Sequence, residues 1–395
     1  MHKVKILIVS CVFPPELVTS ARTSLDVANG LAQLGASVTV LCPRPSRSVD
    51  DSWKFKIDNT VNVVHLPSLG GGQSILMKVI ENLSFALSAI TYLILKKSFD
   101  ICYMNAWPII STSLIATVLR IKKTHYIYSV QDLYPKTLAI KGLIKKNGFF
   151  WKLFLKLEKT LCKNSAKIIT ISDSFKNYLI NSIEVDAEKV TVVSNWSSGR
   201  IILQDKEKAW GMLSKAGVTS NSQELVLGYG GNISESTGIS DFSKFIVNSS
   251  LNIQLIVAGS GSLVNEIRGY VHSDERISLL TPWPKSLTNS VYSVSDILVL
   301  PVPVGQEHGS LPSKLINYMN SNKPILCVCD SECEITQGLE KYPAASICSW
   351  AELENIKINN LKELSSLDSF SFFSDSTPKS EDKLIKEILK FAYRE

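Results

Sequence analysis

The sequence predicts an α/β protein built from two doubly wound, Rossmann-like domains. Short runs of β-branched residues alternate with longer segments whose apolar residues recur at helical spacing, and this alternation starts again near the middle of the chain. The strand candidates are apolar along their whole length, which is typical of parallel strands covered by helices on both faces. Such folds bind ligands at the carboxyl ends of their strands, and we expect a cleft between the two domains.

The first domain is predicted over residues 1–196. Its helix candidates, 21–35 and 75–97, carry apolar residues at helical spacing. The strand candidates around them are 4–10, 37–42, 61–66, 100–105, 125–130, 166–172 and 189–194.

The second domain is predicted over residues 197–380. It opens on a polar and charged segment, 197–222, that we expect to be the hinge. A last helix, at about 381–395, is expected to pack back on the first domain. The strand candidates of the second domain are 225–231, 253–259, 276–280, 296–301 and 324–329.

Composition excludes several classes of protein. The chain has 395 residues, of which 45% are hydrophobic and 20% charged, so an intrinsically disordered chain is excluded. A net charge of +6 over this length does not favour nucleic acid as a partner. The eight cysteines are scattered, and Cys327, Cys329 and Cys333 lack a second Cys or His pair at zinc-binding spacing. We therefore expect buried thiols in a reducing cytosol and no bound metal.

Two apolar stretches bear on membrane association. Residues 1–16 end in Pro-Pro-Glu without a small-residue cleavage site, which indicates a first strand rather than a signal peptide. The most apolar stretch, 83–95, has 13 residues, whereas a membrane span needs about 20. We therefore expect a protein that is soluble or lies on a membrane surface.

A basic segment runs from Lys136 to Lys167. It contains nine lysines and one acidic residue, Glu158. Four of the lysines recur at helical spacing, next to aromatic residues. A basic helix with aromatic flanks favours an anionic lipid surface. A solvated lysine face is the alternative. The residues predicted to face the membrane are Lys152, Lys156, Lys159, Lys163 and Trp151.

The stretch 305–328 is predicted to hold an anion. The strand at 296–301 is followed by a loop and then by a helix that begins near Pro312 or Ser313, since proline suits the first turn of a helix. The backbone N–H groups of that turn and the Lys314 ammonium favour a phosphate. A capped surface helix with a solvated lysine is the alternative.

Six short motifs follow one another along the chain. They are CVFPPE (11–16), YSVQDLYPKT (128–137), VVSNWSSG (192–199), GYGGNISESTGI (228–239), SVSDILVLP (293–301) and SLPSKLINYMNSNKPIL (310–326). Together they resemble family 4 of the retaining nucleotide-sugar glycosyltransferases, in the branch that makes bacterial O-antigen and capsule polysaccharides. The resemblance runs from about residue 4 to residue 330.

The resemblance implies a GT-B fold and a retaining, metal-independent transfer that needs no cofactor. It implies catalytic roles for Arg22, which would stabilise the departing nucleoside diphosphate, and for Asp132, which would orient the sugar or the acceptor hydroxyl. Capping of the following turn is the alternative role of Asp132. The donor-binding residues that it implies are Gly231, Asn232, Glu307, His308, Ser310, Leu311, Ser313, Lys314 and Asn317.

Three positions depart from the family's pattern. The helix glutamate that grips the nucleotide ribose is Asn317 here, which can bond a diol but without charge assistance. The glycine-rich loop after Pro-Pro-Glu is Leu-Val-Thr-Ser at 17–20, and the basic residue after Gly-Asn-Ile is absent because 234–236 read Ser-Glu-Ser. These changes bear on individual site residues rather than on the fold.

The function expected from the resemblance is transfer of a sugar, such as an N-acetylated amino or deoxy sugar, in O-antigen or capsule synthesis. The expected partners are a nucleotide-sugar donor (UDP favoured), a polyprenyl-diphosphate-linked saccharide acceptor and anionic inner-leaflet lipid, but no nucleic acid. The protein would be cytoplasmic and peripheral on the inner face of the membrane. A nucleotide-sugar epimerase of the same architecture and a non-catalytic transferase subunit are the alternatives.

Overall fold

The chain divides into two compact units. One comprises Met1–Ser198 together with Pro378–Glu395, and the other comprises Gly199–Thr377. The structure, a computed structural model, describes residues 3–16, 19–45, 56–70, 75–96, 98–105, 108–140, 142–196, 201–221, 225–305, 313–340, 342–367 and 380–393.

The described part of the first unit is built on a seven-stranded parallel sheet. Its strands are β1 (Lys5–Val9), β2 (Ser37–Pro43), β3 (Asn62–Leu66), β4 (Ile101–Asn105), β5 (His125–Val130), β6 (Lys167–Thr170) and β7 (Val190–Val192). Their order across the sheet is β3-β2-β1-β4-β5-β6-β7. The central strands are buried almost completely, as expected for a sheet covered on both faces.

Helices cover the two faces of this sheet. They are α1 (Thr19–Gln33), α2 (Ile75–Leu95), α3 (Ile109–Ile121), α4 (Lys136–Ile140), α5 (Phe149–Asn164) and α6 (Asp173–Asn181). The chain crosses the sheet in one direction from β1 to β2 and in the other from β3 to β4, β5 and β6. Because such crossovers are right-handed, α1 lies on one face, and α2, α3 and α5 lie side by side on the other.

The described part of the second unit repeats this design with six parallel strands. The strands are β8 (Leu225–Asn232), β9 (Ile253–Ser260), β10 (Ile277–Leu280), β11 (Ile297–Pro301), β12 (Ile325–Val328) and β13 (Ala345–Cys348), in the order β10-β9-β8-β11-β12-β13. The helices are α7 (Lys206–Ser214), α8 (Ile239–Asn248), α9 (Val264–Ser273), α10 (Thr288–Val294), α11 (Ser313–Asn320), α12 (Glu334–Leu339), α13 (Trp350–Leu353) and α14 (Ile358–Ser365). The predicted fold class of two doubly wound α/β domains is thereby confirmed.

Two parts of the second unit differ from the prediction. The strand β13 was missed because it is only four residues long and no more than half-buried, so it lacks an apolar run. The polar segment 197–222, predicted as the hinge, includes the boundary between the two units at Ser198 and Gly199, but its residues 206–214 form the helix α7, which was not predicted. Asp205 caps that helix by accepting a hydrogen bond from the Lys208 N–H at 3.1 Å, and Ala209 and Leu213 lie in the core of the second unit.

The helix α2 is longer than the apolar stretch from which its length was judged. It has 21 residues, because Lys78, Glu81 and Asn82 continue the helix on the N-terminal side of that stretch. In the described residues, Leu76–Leu95 is the one segment long and apolar enough to cross a membrane by length and composition, with 22% of its most apolar window buried. The helix itself was predicted at 75–97, but the expectation that no stretch is apolar over the length of a span was wrong, because it counted only residues 83–95.

The last helix, α15 (Ser380–Ala392), packs against α1. Leu384, Ile385 and Ile388 are buried in the same core cluster as Leu25 and Ala28 of α1. Gly30 of α1 allows this close approach, because an added β-carbon would overlap Cδ1 of Ile385.

We expect Gly30→Ala to lower the free energy of unfolding by about 1–3 kcal/mol through this overlap. Ile385→Val removes the overlapped methyl group and by itself costs about 1 kcal/mol, so the double variant should lose less than the sum of the two. Gly211→Ala in α7 is the control, because among the described atoms nothing lies within 4 Å of the added carbon. Urea denaturation measures each variant, and strictly additive losses would contradict the assigned contact.

Candidate functional site

In the second unit the strand order reverses between β8 and β11. The chain leaves β8 toward β9 on one side and leaves β11 toward β12 on the other. Ligands of doubly wound folds bind outside the carboxyl ends of the strands at this point. The carboxyl end of β8 is Gly230-Gly231-Asn232, and α11, which follows β11 in the chain, starts at Ser313.

Lys314, in the first turn of α11, contacts the end of β8. Its Nζ donates a hydrogen bond to Oη of Tyr229 at 2.5 Å and lies 4.2 Å from the centroid of the Tyr229 ring. The Tyr229 hydroxyl donates in turn to the carbonyl oxygen of Asn232 at 2.5 Å. The lysine is therefore held beside the strand end by a tyrosine whose own hydroxyl is fixed to the backbone.

A second tyrosine fixes α11 to the same strand. Tyr318 lies one helical turn after Lys314 and is fully buried. Its hydroxyl accepts a hydrogen bond from the Gly230 N–H at 2.9 Å, and its ring packs edge-to-face against Tyr292 with 5.7 Å between centroids. Since Lys314 contacts Tyr229 and Tyr318 contacts Gly230, α11 is joined to two adjacent residues of β8, and its start has a defined position over the strand end.

Glycines at the end of β8 leave room for these contacts. A β-carbon on Gly230 would lie 2.6 Å from the Trp283 ring. Gly231 has a φ of +155°, and a β-carbon there would lie 3.4 Å from Cε of Lys314. On the neighbouring strand, a β-carbon on Gly259 would overlap the carbonyl oxygen of Gly231. The backbone at Gly231 is therefore bare next to the lysine, which permits close approach of a ligand.

Burial sets the charge of Lys314. Loss of hydration lowers the pKa of its ammonium to about 7. Among the described residues no carboxylate offsets this loss, since burial is the only cause of the shift. An anion placed beside Nζ would supply the missing interaction and raise the pKa again. The arrangement is suited to a phosphate that approaches α11 at its positive, N-terminal end.

Some of the other predicted donor-binding residues belong to the described part of the chain and some do not. Asn232 is exposed at the tip of β8, where its Nδ2 donates to Oγ of Ser234 at 2.9 Å, and Asn317 is half-buried one turn beyond Ser313 on α11. The structure thus brings Gly231, Asn232 and Lys314 together. The remaining predicted residues, Glu307, His308, Ser310 and Leu311, lie outside the described residues.

Polar side chains gather at the carboxyl ends of β1 and β4 in the first unit. The hydroxyls of Ser10 and Ser24 are 3.0 Å apart, and Nδ2 of Asn105 donates to Oγ of Ser24 at 3.4 Å. These strands flank the switch point of this sheet, between β1 and β4. Asp132 follows the next strand, β5, by two residues and is half-buried.

Arg22 lies in the first turn of α1 and is paired within its own helix. Its Nε is 3.1 Å from Oδ1 of Asp26, and the other oxygen of Asp26 accepts a hydrogen bond from Nε1 of Trp196 at 3.2 Å. The Arg22 side chain remains 34% exposed. One acidic residue therefore positions both the predicted catalytic arginine and the tryptophan of the Asn-Trp motif.

The predicted lysine row is present on α5. Lys152, Lys156, Lys159 and Lys163 line an open depression of about 320 Å³ together with Leu155 and Thr160. Lys159 also pairs with Glu184 at 2.7 Å. Glu158 faces inward instead, where it accepts a hydrogen bond from the Tyr128 hydroxyl at 2.9 Å, and burial raises its pKa to about 8.

The aromatic residues beside this row differ in exposure. Trp151, the aromatic residue predicted to face the membrane, is half-buried. Its neighbours Phe149 and Phe150 are exposed instead, at 76% and 57%. In the described ranges, no three His, Cys, Asp or Glu side chains cluster closely enough to hold a metal ion.

Two tyrosines of the site, Tyr229 and Tyr318, were not singled out from the sequence. Tyr229 lies among the glycines of β8, where a tyrosine is ordinarily interpreted as an apolar core residue of the strand. Tyr318 follows Lys314 by four residues, so helical spacing alone places both on one side of α11. That spacing is the signal that would have identified Tyr318.

Solved structures define the fold class. WaaG, a glycosyltransferase involved in lipopolysaccharide biosynthesis, is 11% identical, with a TM-score of 0.71 over 99% of this chain and 100% of that chain. Anabaena HepE in complex with UDP and glucose is 12% identical, with a TM-score of 0.67 over 98% of this chain and 99% of that chain. Sucrose-phosphate synthase from Thermosynechococcus elongatus is also 12% identical, with a TM-score of 0.70 over 99% of this chain and 96% of that chain. The fold is GT-B, as predicted.

Each sequence comparison matches about half of the chain. Residues 19–196, in the first unit, are similar to the family described as glycosyl transferase 4-like domain. A probable glycosyltransferase, WbjE of Pseudomonas aeruginosa, is 19% identical over 221 residues, which are 55% of this chain and 54% of that protein. The matching region therefore spans about half the length of that relative.

Lys314→Met is expected to stabilise the protein, because an ammonium that burial desolvates, and that has no acidic partner in the described part of the chain, is replaced by an apolar side chain of similar length. The native pKa of about 7 lies below the value of about 10.4 in the unfolded chain. The wild type therefore gains stability as pH rises from 7 to 10. The gain from the substitution should be about 1–3 kcal/mol below pH 7 and shrink toward pH 10.

Chemical denaturation at several pH values measures this gain. The exposed Lys244→Met is the matched control and should change little at any pH. A Lys314→Met variant that is less stable than the wild type at pH 6 would contradict the unpaired buried charge.

Proposed function

We propose that the chain is a retaining, metal-independent glycosyltransferase that moves a sugar from a nucleoside diphosphate, with UDP favoured, to a polyprenyl-diphosphate-linked saccharide. The product would belong to O-antigen or capsule synthesis, and an N-acetylated amino or deoxy sugar is the favoured class of donor. The similarity of residues 19–196 to the glycosyl transferase 4-like domain and the names of WbjE and WaaG support a transferase. The proposed location is the cytoplasmic face of the cell membrane.

The observation that carries the proposal is the desolvated ammonium of Lys314. It lies beside the bare backbone of Gly231 at the carboxyl end of β8, where a nucleotide would bind. When a glycosyl bond to a diphosphate breaks, negative charge develops on the leaving phosphate. A protonated Lys314 and the N–H groups at the start of α11 would stabilise that charge without a divalent cation.

Residues of the first unit would serve the acceptor and the transferred sugar. Asp132, beyond the end of β5, would orient the sugar or accept a hydrogen bond from the acceptor hydroxyl. Arg22 would add positive charge toward the leaving phosphate, with Asp26 holding its guanidinium in place. Asn317, in place of the family's glutamate, would bond the nucleotide ribose as a neutral donor and acceptor.

Donor affinity should fall as pH rises above 7. Lys314 is half-protonated near pH 7 in the free protein, and only its charged form attracts the diphosphate. The dissociation constant of a nucleotide sugar, whose two phosphates are both esterified and keep a constant charge, is expected to rise by up to about tenfold per pH unit between pH 7 and 9.

Isothermal titration calorimetry measures this dependence, with Lys314→Met as the variant that should bind weakly and without the pH slope. A wild-type affinity that is flat from pH 6 to 9 would contradict the lowered pKa of Lys314, and an unchanged affinity of Lys314→Met would show that Lys314 does not hold the diphosphate.

The test of the function is transfer to a lipid-linked acceptor from a panel of nucleotide sugars, with product detected by mass spectrometry. We expect one donor to be used, with activity kept in EDTA and lost in Asp132→Asn. Conversion of a nucleotide sugar without acceptor would favour the epimerase instead. Nucleotide binding without turnover of any donor would favour the non-catalytic subunit, for which the Asn317 substitution is the motivating observation.

The lysine row of α5 is proposed to bind the anionic inner leaflet. Replacing Lys152, Lys156, Lys159 and Lys163 with Gln should reduce binding to vesicles that contain phosphatidylglycerol by at least tenfold, since each lysine near an anionic surface contributes about 1 kcal/mol. Co-sedimentation measures the loss. Replacement of Lys206, Lys208, Lys215 and Lys244 in the second unit is the charge-matched control, and equal losses in both variants would mean that the row has no special role.

A further inference from the structure

The helix α2 carries apolar side chains on two opposite sides. Phe85, Ala86, Ala89 and Leu93 point inward and are at most 1% exposed. A second row, called here the outer row of α2, consists of Leu76, Leu83, Leu87 and Ile94, which are 69%, 36%, 63% and 65% exposed. Because the four recur at intervals of seven, four and seven residues, they share one face of the helix. A surface helix of a soluble protein is expected to be polar on that face.

The helix α2 is fixed to the first unit by side-chain to backbone hydrogen bonds along its length. The Leu69 N–H donates to Oγ of Ser84 at 2.8 Å, and Oγ of Ser88 donates to the Pro67 carbonyl at 2.7 Å. Oγ of Ser111 on α3 donates to the Asn82 carbonyl at 2.7 Å, and Nζ of Lys122 donates to the Leu93 carbonyl. A transmembrane orientation would break these bonds and expose the inner side of the helix.

The outer row belongs to the same helical layer as the lysine row. The helix α3 packs against both α2 and α5, and it adds the exposed side chains of Leu114 and Ile121. The helix α5 adds Phe149 and Phe150, which precede its lysines. One side of the first unit therefore carries an apolar part, on α2 and α3, and a basic part, on α5.

We propose that the outer row of α2 inserts into the headgroup region of an anionic bilayer while the lysine row of α5 contacts the lipid phosphates. The helix would lie in the plane of the membrane, with its inner side still packed on the sheet. This inference rests on the membrane association proposed above and adds to it the element that enters the apolar phase. Charge selects the bilayer over a second copy of the chain, because a copy docked on this side would bring two lysine rows together.

Two different interactions are expected to contribute to membrane binding by this side of the first unit. Burial of apolar side chains is insensitive to salt, whereas lysine–phosphate attraction is screened by it. Stable attachment of a peripheral protein generally needs two such signals. The outer row and the lysine row can therefore be separated by varying salt and lipid charge.

The test compares Leu83→Ser/Leu87→Ser with the wild type in co-sedimentation with vesicles of phosphatidylcholine alone or mixed with phosphatidylglycerol. Ile202→Ser/Leu203→Ser, which alters exposed apolar residues of the second unit, is the matched control. We expect the α2 variant to bind anionic vesicles at least tenfold more weakly and to be released fully by 0.5 M salt. The wild type and the control should keep a salt-resistant fraction.

A second measurement does not depend on loss of binding. The chain has seven native tryptophans, so Leu87→Trp is compared with the wild type. The emission that the variant adds should shift to the blue on anionic vesicles and be quenched by lipids brominated on their acyl chains. Unchanged binding of the Ser variant, together with no quenching of Leu87→Trp beyond that of the wild type, would overturn the inference. It would also be overturned by a wild-type dimer, seen in light scattering, that Leu83→Ser/Leu87→Ser converts to a monomer. Nucleotide binding, measured alongside, separates failure of this inference from failure of the donor site.

Discussion

The candidate site depends on one interaction, the burial of the Lys314 ammonium against Tyr229 at the end of β8. The tyrosine holds the lysine by its hydroxyl and its ring, and it is itself fixed to the Asn232 carbonyl. Tyr318 joins the same helix to Gly230, and the glycines of β8 provide the space for all of these contacts. The helix, the strand end and the charge thus form one arrangement, which costs stability in the free protein and suits an anionic ligand.

The fold could be predicted from the sequence because its strands are apolar along their length and alternate with segments whose apolar residues recur at helical spacing. Where such a signal was missing, prediction failed for physical reasons. The strand β13 is short and partly exposed, so it has no apolar run. The helix α7 begins with three charged residues and is recognised only from its Asp205 cap and the i, i+4 pair Ala209 and Leu213. The helix α2 was predicted at 75–97, and only its capacity to span a membrane was judged from its most apolar stretch, 83–95.

The site could be predicted only in part. The lysine and the glycine run were found through their resemblance to a family motif, but the depressed pKa of Lys314 follows from burial, which no single residue type indicates. The tyrosines that hold it are common core residues when read one position at a time. The outer row of α2 was hidden for the opposite reason, since exposed and buried leucines look alike in a sequence. Only the structure separates the two apolar sides of that helix.

The decisive experiment is a crystal structure of the protein with bound UDP. We expect the diphosphate to lie at the carboxyl end of β8, with an oxygen within hydrogen-bond distance of Nζ of Lys314 and of the N–H groups at the start of α11. A nucleotide bound elsewhere, or bound here with Lys314 turned away from its phosphates, would show that Lys314 does not form the donor site.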